Sequence, residues 1–151
     1  MRRVFGLLLL SGVLAVVVAG CGGGGGSKPL DKADYDKQMQ TIGGGLTDDL
    51  NSLSSSTGSA AKAATALVKV QTDLRTAADQ LDAITPPTAI KTEHEQLTKA
   101  VREFADELDP LIKDLKAGKL SALSSLATLK GLSDIQTAST AISKKGYKIG
   151  G

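Results

Sequence analysis

Between residues 60 and 115 the chain repeats one pattern twice, and that pattern limits what it can fold into. Ala60, Ala63, Leu67, Val70, Leu74, Ala77, Leu81 and Ile84 follow one another at alternating steps of three and four. After Thr85-Pro86-Pro87 the steps resume with Ile90, His94, Leu97, Val101, Phe104, Leu108, Leu111 and Leu115. Such spacing places each set on one narrow stripe of a helix, the seam of a bundle or coiled coil. Neither helix can bury its stripe alone, so the two must pack on each other or on further helices. Nowhere does apolar/polar alternation persist for the length of a strand, and an all-α architecture follows.

The breaks between helices are also readable. Proline disfavours helix in the residue before it, so Thr85-Pro86-Pro87 ends the second helix and a third begins near Pro87 or Thr88. Glu95, Lys99 and Glu103 recur at four-residue steps on the face opposite the third seam, as a solvated, ion-paired surface does. Pro110 is expected to kink this helix and Gly118 to end it. A first helix starts at Asp31, with Asp31 as cap and Leu30 stapling onto Tyr35. Its stripe is Tyr35, Met39, Ile42, Leu46, Leu50 and Leu53. Gly43, Gly44 and Gly45 interrupt it at about 1 kcal/mol each against alanine, which predicts a kink or weak point, explained by close approach of another helix. Asn51–Ser59 reads as a loop. A short helix is expected over Leu120–Lys130, closed by Gly131, and a last one from Ser133, where Ser133 and Gln136 form a capping-box pattern and Lys144-Lys145-Gly146 makes a stop. The expected whole is an up-and-down four-helix bundle over residues 30–151.

Ahead of that domain lies a different kind of sequence. Arg2 and Arg3 precede an apolar run from Val4 to Val18, then Val18-Ala19-Gly20-Cys21 and five glycines. A charged start, a short apolar stretch and small residues before the cut make a secretory signal, and the run falls short of the ~20 residues a membrane span needs. Arg2-Arg3-Val4-Phe5 also matches part of a twin-arginine signal, although two arginines equally suit an ordinary positive start. Val18-Ala19-Gly20-Cys21 resembles the lipobox of bacterial lipoproteins. The resemblance implies cleavage between Gly20 and Cys21 and a diacylglycerol on the Cys21 thiol. Two or more acyl chains, at ~0.8 kcal/mol per buried methylene, hold a protein stably where one chain is marginal. Residues 1–20 are then a signal peptide and 21–29 a lipidated tether. Its Gly22–Pro29 portion, as Gly-rich coil, has a reach of roughly 16 Å. The expected location is the outer face of the cell membrane, or an outer membrane where the organism has one. Leu81-Asp82-Ala83-Ile84-Thr85-Pro86-Pro87, with His94 and Leu97, is similar to a helix–Pro-Pro–helix turn in bacterial envelope lipoproteins. That likeness implies two packed helices and brings no activity with it.

Composition removes several functions. The one cysteine is Cys21, so no disulfide staples the domain and no thiol nucleophile remains in it. Eighteen basic residues face sixteen acidic ones, and they balance once Arg2 and Arg3 are gone, which gives no basic footprint for nucleic acid. The charge is uneven: Lys113–Gly151 holds seven lysines and two aspartates, and its Lys144, Lys145 and Lys148 suit either anionic headgroups or a helix C-terminus. Past the signal the only aromatic residues are Tyr35, Phe104 and Tyr147, too few for a carbohydrate cleft or a base-stacking platform.

Candidate chemistry centres on His94, the only histidine, placed on the seam rather than the polar face. A histidine facing a bundle interior either binds a metal or small ligand, titrates as a switch, or sits neutral with its nitrogens bonded to a tyrosine or a backbone carbonyl. Tyr35, Met39 and His94 would form a ligand-binding cluster if the first and third helices face each other. Lys91 stands three residues before His94, so the Glu-x-x-His motif of bundle metal sites is missing and no metal site is assigned. Asp106, Glu107 and Asp109 are a charge run beside Pro110 that either binds a cation or is solvated surface. There is no Gly-x-Ser-x-Gly turn, phosphate loop or haem-attachment motif, and no cofactor is expected. The reading that follows is a non-catalytic, lipid-anchored binding or structural module with an envelope protein as partner. A sensing bundle centred on His94 is the alternative.

Overall fold

The computed structural model describes residues 28–54 and 58–150, with side chains outside 46–54. Four α-helices follow one another: α1 (Lys32–Ser54), α2 (Ala60–Asp82), α3 (Lys91–Lys116) and α4 (Lys130–Lys144). A 3₁₀ turn, Thr88–Ile90, precedes α3, and a 3₁₀ segment, Leu120–Thr128, links α3 to α4. No strand occurs among the described residues. The fold is an all-α helical bundle.

α3 is the central element and packs against α2 on one side and α4 on the other, while α1 packs against α2. Residue pairs across the helices give their directions. Gln71 meets Ala105 and Asp109, Arg75 meets Asp106, Asp79 and Asp82 meet Arg102, and Leu81 meets His94. Numbers rise along α2 as they fall along α3, so the pair is antiparallel. The α3–α4 pair is antiparallel too, with Glu107 at Gly131 near one end and Glu93 at Lys145 near the other. Leu30 N–H donates to Thr85 O at 2.9 Å, which ties the entry of α1 to the α2–α3 turn. One pole therefore gathers the start of α1, the Pro-Pro turn and the end of α4.

The core is aliphatic and follows the two seams. Ala63, Leu67, Val70, Leu74, Ala77 and Leu81 of α2 are buried, as are Leu97, Val101, Phe104, Leu108, Leu111 and Leu115 of α3, with Ile90 just ahead of it. Ala60 and Ile84, at the ends of the α2 stripe, are half-buried. Ala64, Ala78, Ala100, Ala105 and Ile112 widen the stripes to the breadth a helix needs when it touches two neighbours. Gln71 is also buried; its amide donates to Ala105 O at 2.8 Å and to Asp109 Oδ1 at 2.6 Å.

The helix ends explain the boundaries. Asp31 Oδ1 accepts from Asp34 N–H at 2.9 Å, the expected cap of α1. After α3, Gly118 (φ +85°) turns the chain: its N–H reaches Leu115 O at 2.9 Å and Lys119 N–H reaches Asp114 O at 3.0 Å. These are the paired bonds of a Schellman stop. Gly146 (φ +86°) closes α4 in a similar way, its N–H donating to Ser143 O.

Several expectations need correcting. The helical span of α1 continues to Ser54, through Asn51–Ser54, which composition alone places in the loop. α3 continues as helix through Pro110, which lies on the exposed face. The segment after Gly118 is 3₁₀ rather than α, and no residue in it is fully buried. α4 begins at Lys130, so Ser133 is inside it and the Ser133/Gln136 box is not a cap. The cap comes from another helix: Glu107 Oε2 of α3 accepts from Gly131 N–H at 2.9 Å. Gly131 does not close a helix. It lets the first turn of α4 lie on α3, where a Cβ would fall 2.5 Å from the Phe104 Cα.

The three glycines of α1 have separate roles. α1 passes through all of them as helix. A Cβ on Gly43 would lie 3.0 Å from Gly150 Cα, while Gly44 and Gly45 face open space. The close neighbour at Gly43 is the C-terminal tail, not another helix.

These contacts separate the glycines by their cost. Gly131→Ala must displace backbone and is expected to lose about 1–3 kcal/mol through overpacking. Gly44→Ala is expected to gain up to ~1 kcal/mol from helix propensity. Urea unfolding of the two variants, read as midpoint shifts at constant slope, checks both signs.

Candidate functional site

Tyr35 and His94 meet at the pole where the chain enters. Tyr35 is the fourth residue of α1 and His94 the fourth of α3, and both lie on stripes that turn inward. Tyr35 is fully buried and His94 is 3% exposed. The Tyr35 hydroxyl stands 3.0 Å from His94 Nδ1, and His94 Nε2 stands 3.0 Å from Leu81 O. The rings meet edge to face with centroids 5.6 Å apart.

This geometry fixes the proton. A backbone carbonyl only accepts, so Nε2 carries the hydrogen and donates to Leu81 O. In the neutral ring Nδ1 is then the acceptor, and the Tyr35 O–H donates to it. Burial lowers the His94 pKa below its ordinary 6.5, against smaller opposing effects of the Leu81 carbonyl and of Asp82 and Glu95. Burial also pushes the Tyr35 phenol up, with Asp36 and Tyr147 adding to the shift. Both groups are therefore neutral near pH 7. Each ring nitrogen of His94 is thus bonded within the protein.

The node extends to the C-terminal tail, residues 145–150. Tyr147 packs edge to face on Tyr35, with centroids 5.6 Å apart. Lys148 N–H donates to Asp36 Oδ1 at 2.9 Å, and the other Asp36 oxygen pairs with Lys32. Desolvation works against the Asp36 carboxylate, but Lys32 and the Lys148 N–H together hold its pKa below the ordinary value. The Lys32 ammonium lies 5.4 Å from the Tyr147 ring centroid, a cation–π contact. Lys145 closes the edge, reaching Glu93 Oε1 at 2.6 Å and Ala89 O at 2.7 Å. Both tyrosines and the only histidine of the chain thus sit together.

The other candidates fall elsewhere. Met39 is buried one turn beyond Tyr35, within the same core. Asp106, Glu107 and Asp109 do not converge: Asp106 pairs with Arg75, Glu107 caps α4, and Asp109 accepts from Gln71. Among the described residues no group of three or more His, Cys, Asp or Glu could hold a metal ion, and no helix is long and apolar enough to cross a membrane. Gly20 and Cys21 lie outside the described residues. The tail contacts with Tyr35 and Asp36 leave no sequence signal, since nothing in Gly146–Gly150 has helical spacing.

One open recess adjoins the node. It lies between α1 and the end of α2, about 640 Å³ in volume, with Leu30, Ile42, Ala83 and Ile84 as apolar lining. Asp34, Lys37, Gln38, Thr41 and Gln80 supply its polar part.

The chain matches no protein-family model, and comparison with curated proteins and with solved structures gives no significant match.

The node makes stability depend on pH with a definite sign. The folded state resists protonation of His94 while the unfolded chain takes a proton at its ordinary 6.5. The unfolded state therefore binds more protons as acidity rises. The His94 contribution is constant above pH 6.5 and falls progressively below it. Denaturant titrations between pH 8 and pH 5 are expected to show that decline, flattened in His94→Gln. Tyr35→Phe leaves Nδ1 buried without a donor and is expected to cost about 1–3 kcal/mol at pH 7.5.

Proposed function

We propose that this protein is a lipid-anchored component of the cell envelope, working as a non-catalytic binding or structural module. The observation that carries the reading is Val18-Ala19-Gly20-Cys21, set after a short apolar run and before a glycine tract. On this reading residues 1–20 are removed, Cys21 is acylated, and Gly22–Pro29 lets the bundle stand off the membrane surface. The protein faces away from the cytoplasm, and its partner is another envelope protein.

Two features of the bundle support a role other than catalysis. The groups with most chemical potential, His94 and Tyr35, are bonded to each other and to Leu81 O, away from solvent. The charged side chains between α2 and α3 pair across the helices, Arg75 with Asp106 and Arg102 with Asp79 and Asp82. Exposed pairs of this kind add little stability each, yet they help fix which faces meet. What the bundle offers a partner is surface, including the recess beside α1.

Cys21→Ser tests the reading. The wild-type chain is expected in the membrane fraction, carrying the mass of its acyl groups. The variant is expected to leave that fraction with its helical circular dichroism intact. A variant that stays equally membrane-bound overturns the anchor. Partner capture by the anchored protein is expected to survive His94→Gln.

A further inference from the structure

We infer that Tyr35, His94, Asp36 and the C-terminal tail form an acid-released latch that holds the first part of α1 against the other helices. The latch has three parts on three segments. Tyr35 of α1 donates to His94 of α3, Tyr147 of the tail covers Tyr35, and Lys148 N–H of the tail binds Asp36 of α1. Gly43 then lets Gly150 lie directly on the helix backbone. The tail touches α1 at Tyr35, Asp36 and Gly43 in turn, so it runs along the helix as a strap.

Apart from its packing on α2 and the Leu30–Thr85 bond, little else holds this part of α1. Of its described side chains only Tyr35, Asp36 and Met39 are buried, whereas α2 and α3 each bury a full stripe. Three glycines in succession, from the end of the strap onward, weaken the helix by about 1 kcal/mol each. Segments of this kind open at free energies well below that of global unfolding.

Protonation acts on the one bond that joins α1 to α3 at the node. An imidazolium has hydrogens on both nitrogens, so Nδ1–H would face the Tyr35 O–H donor. Tyr35 is wholly buried, and turning its hydrogen away leaves that donor without an acceptor. Moving α1 outward removes the conflict and lets water reach the ring. The groups facing the node do not cancel this. From α2, Asp82 is exposed and paired with Arg102; from α3, Glu95 is exposed beside Lys91 and Glu93 is held by Lys145. From α1, Asp36 is committed to Lys32 and the tail.

Hydrogen exchange on the full-length protein, corrected for the pH dependence of intrinsic exchange, tests the latch. Opening of residues 33–42 and 147–150 is expected to rise about tenfold per pH unit below 6.5, the response of a single proton-linked group. Residues 97–115 of α3, exposed only by global opening, should open at least tenfold less often than residues 33–42 at every pH. His94→Gln supplies one amide donor for Leu81 O and one acceptor for Tyr35, and should abolish the rise. Opening of residues 33–42 no more frequent than that of α3 would mean that they open only globally and would overturn the latch. So would an absent rise, or one that persists in His94→Gln. If that variant fails to fold, the wild-type NMR titration decides: His94 and Tyr147 ring signals must move together, and separate midpoints refute the proposal.

Discussion

Everything in this bundle depends on α3 being buried from two sides. A helix with one neighbour needs a narrow stripe, but α3 serves α2 and α4 together, so its apolar surface extends from Leu97 and Val101 to Ala100, Ala105 and Ile112. With no disulfide and almost no aromatic volume, cohesion rests on how closely the helices approach. Small residues set that approach. Ala63, Ala64, Ala77 and Ala78 are buried along α2, and Gly131 brings the first turn of α4 onto the backbone at Phe104. The polar bonds inside this interface, Gln71 to Ala105 O and Glu107 to Gly131 N–H, then fix position along the helix axes, which aliphatic contacts alone leave loosely defined.

The same logic explains which parts of the fold the sequence makes legible. α2 and most of α3 declare themselves because a stripe at steps of three and four is a local pattern with a tertiary consequence. Gly118 and Gly146 are also local, since each takes a positive φ at a helix end. The start of α4 was not legible: its cap is a carboxylate from α3, twenty-four residues away. Nor was the tail, whose contacts come from one ring, one N–H and one glycine without any period. Gln71 lies beside the α2 stripe and is polar, so only its two partners reveal that it is inside.

For the node, legibility was partial in an instructive way. The placing of His94 on a seam and of Tyr35 on the first stripe was enough to raise their meeting. Met39 joined them as a core residue rather than as a third polar contact. What periodicity does not carry is which atoms the imidazole nitrogens touch. That detail separates a ligand from a satisfied core group, and here Leu81 O and the Tyr35 hydroxyl take both nitrogens.

The pole shared by Leu30, the Pro-Pro turn and the tail has a mechanical consequence. Leu30 is where the described chain enters the bundle, and its N–H is held by Thr85 O. A pull between Leu30 and the far ends of α2 and α3 runs along the helix axes and shears every seam layer at once. A pull between Leu30 and the tail would instead separate neighbours at one pole, stripping Tyr147 and Lys148 from α1 contact by contact. The bundle is therefore anisotropic under force, stiff along its length and compliant across the pole where α1 begins and α4 ends.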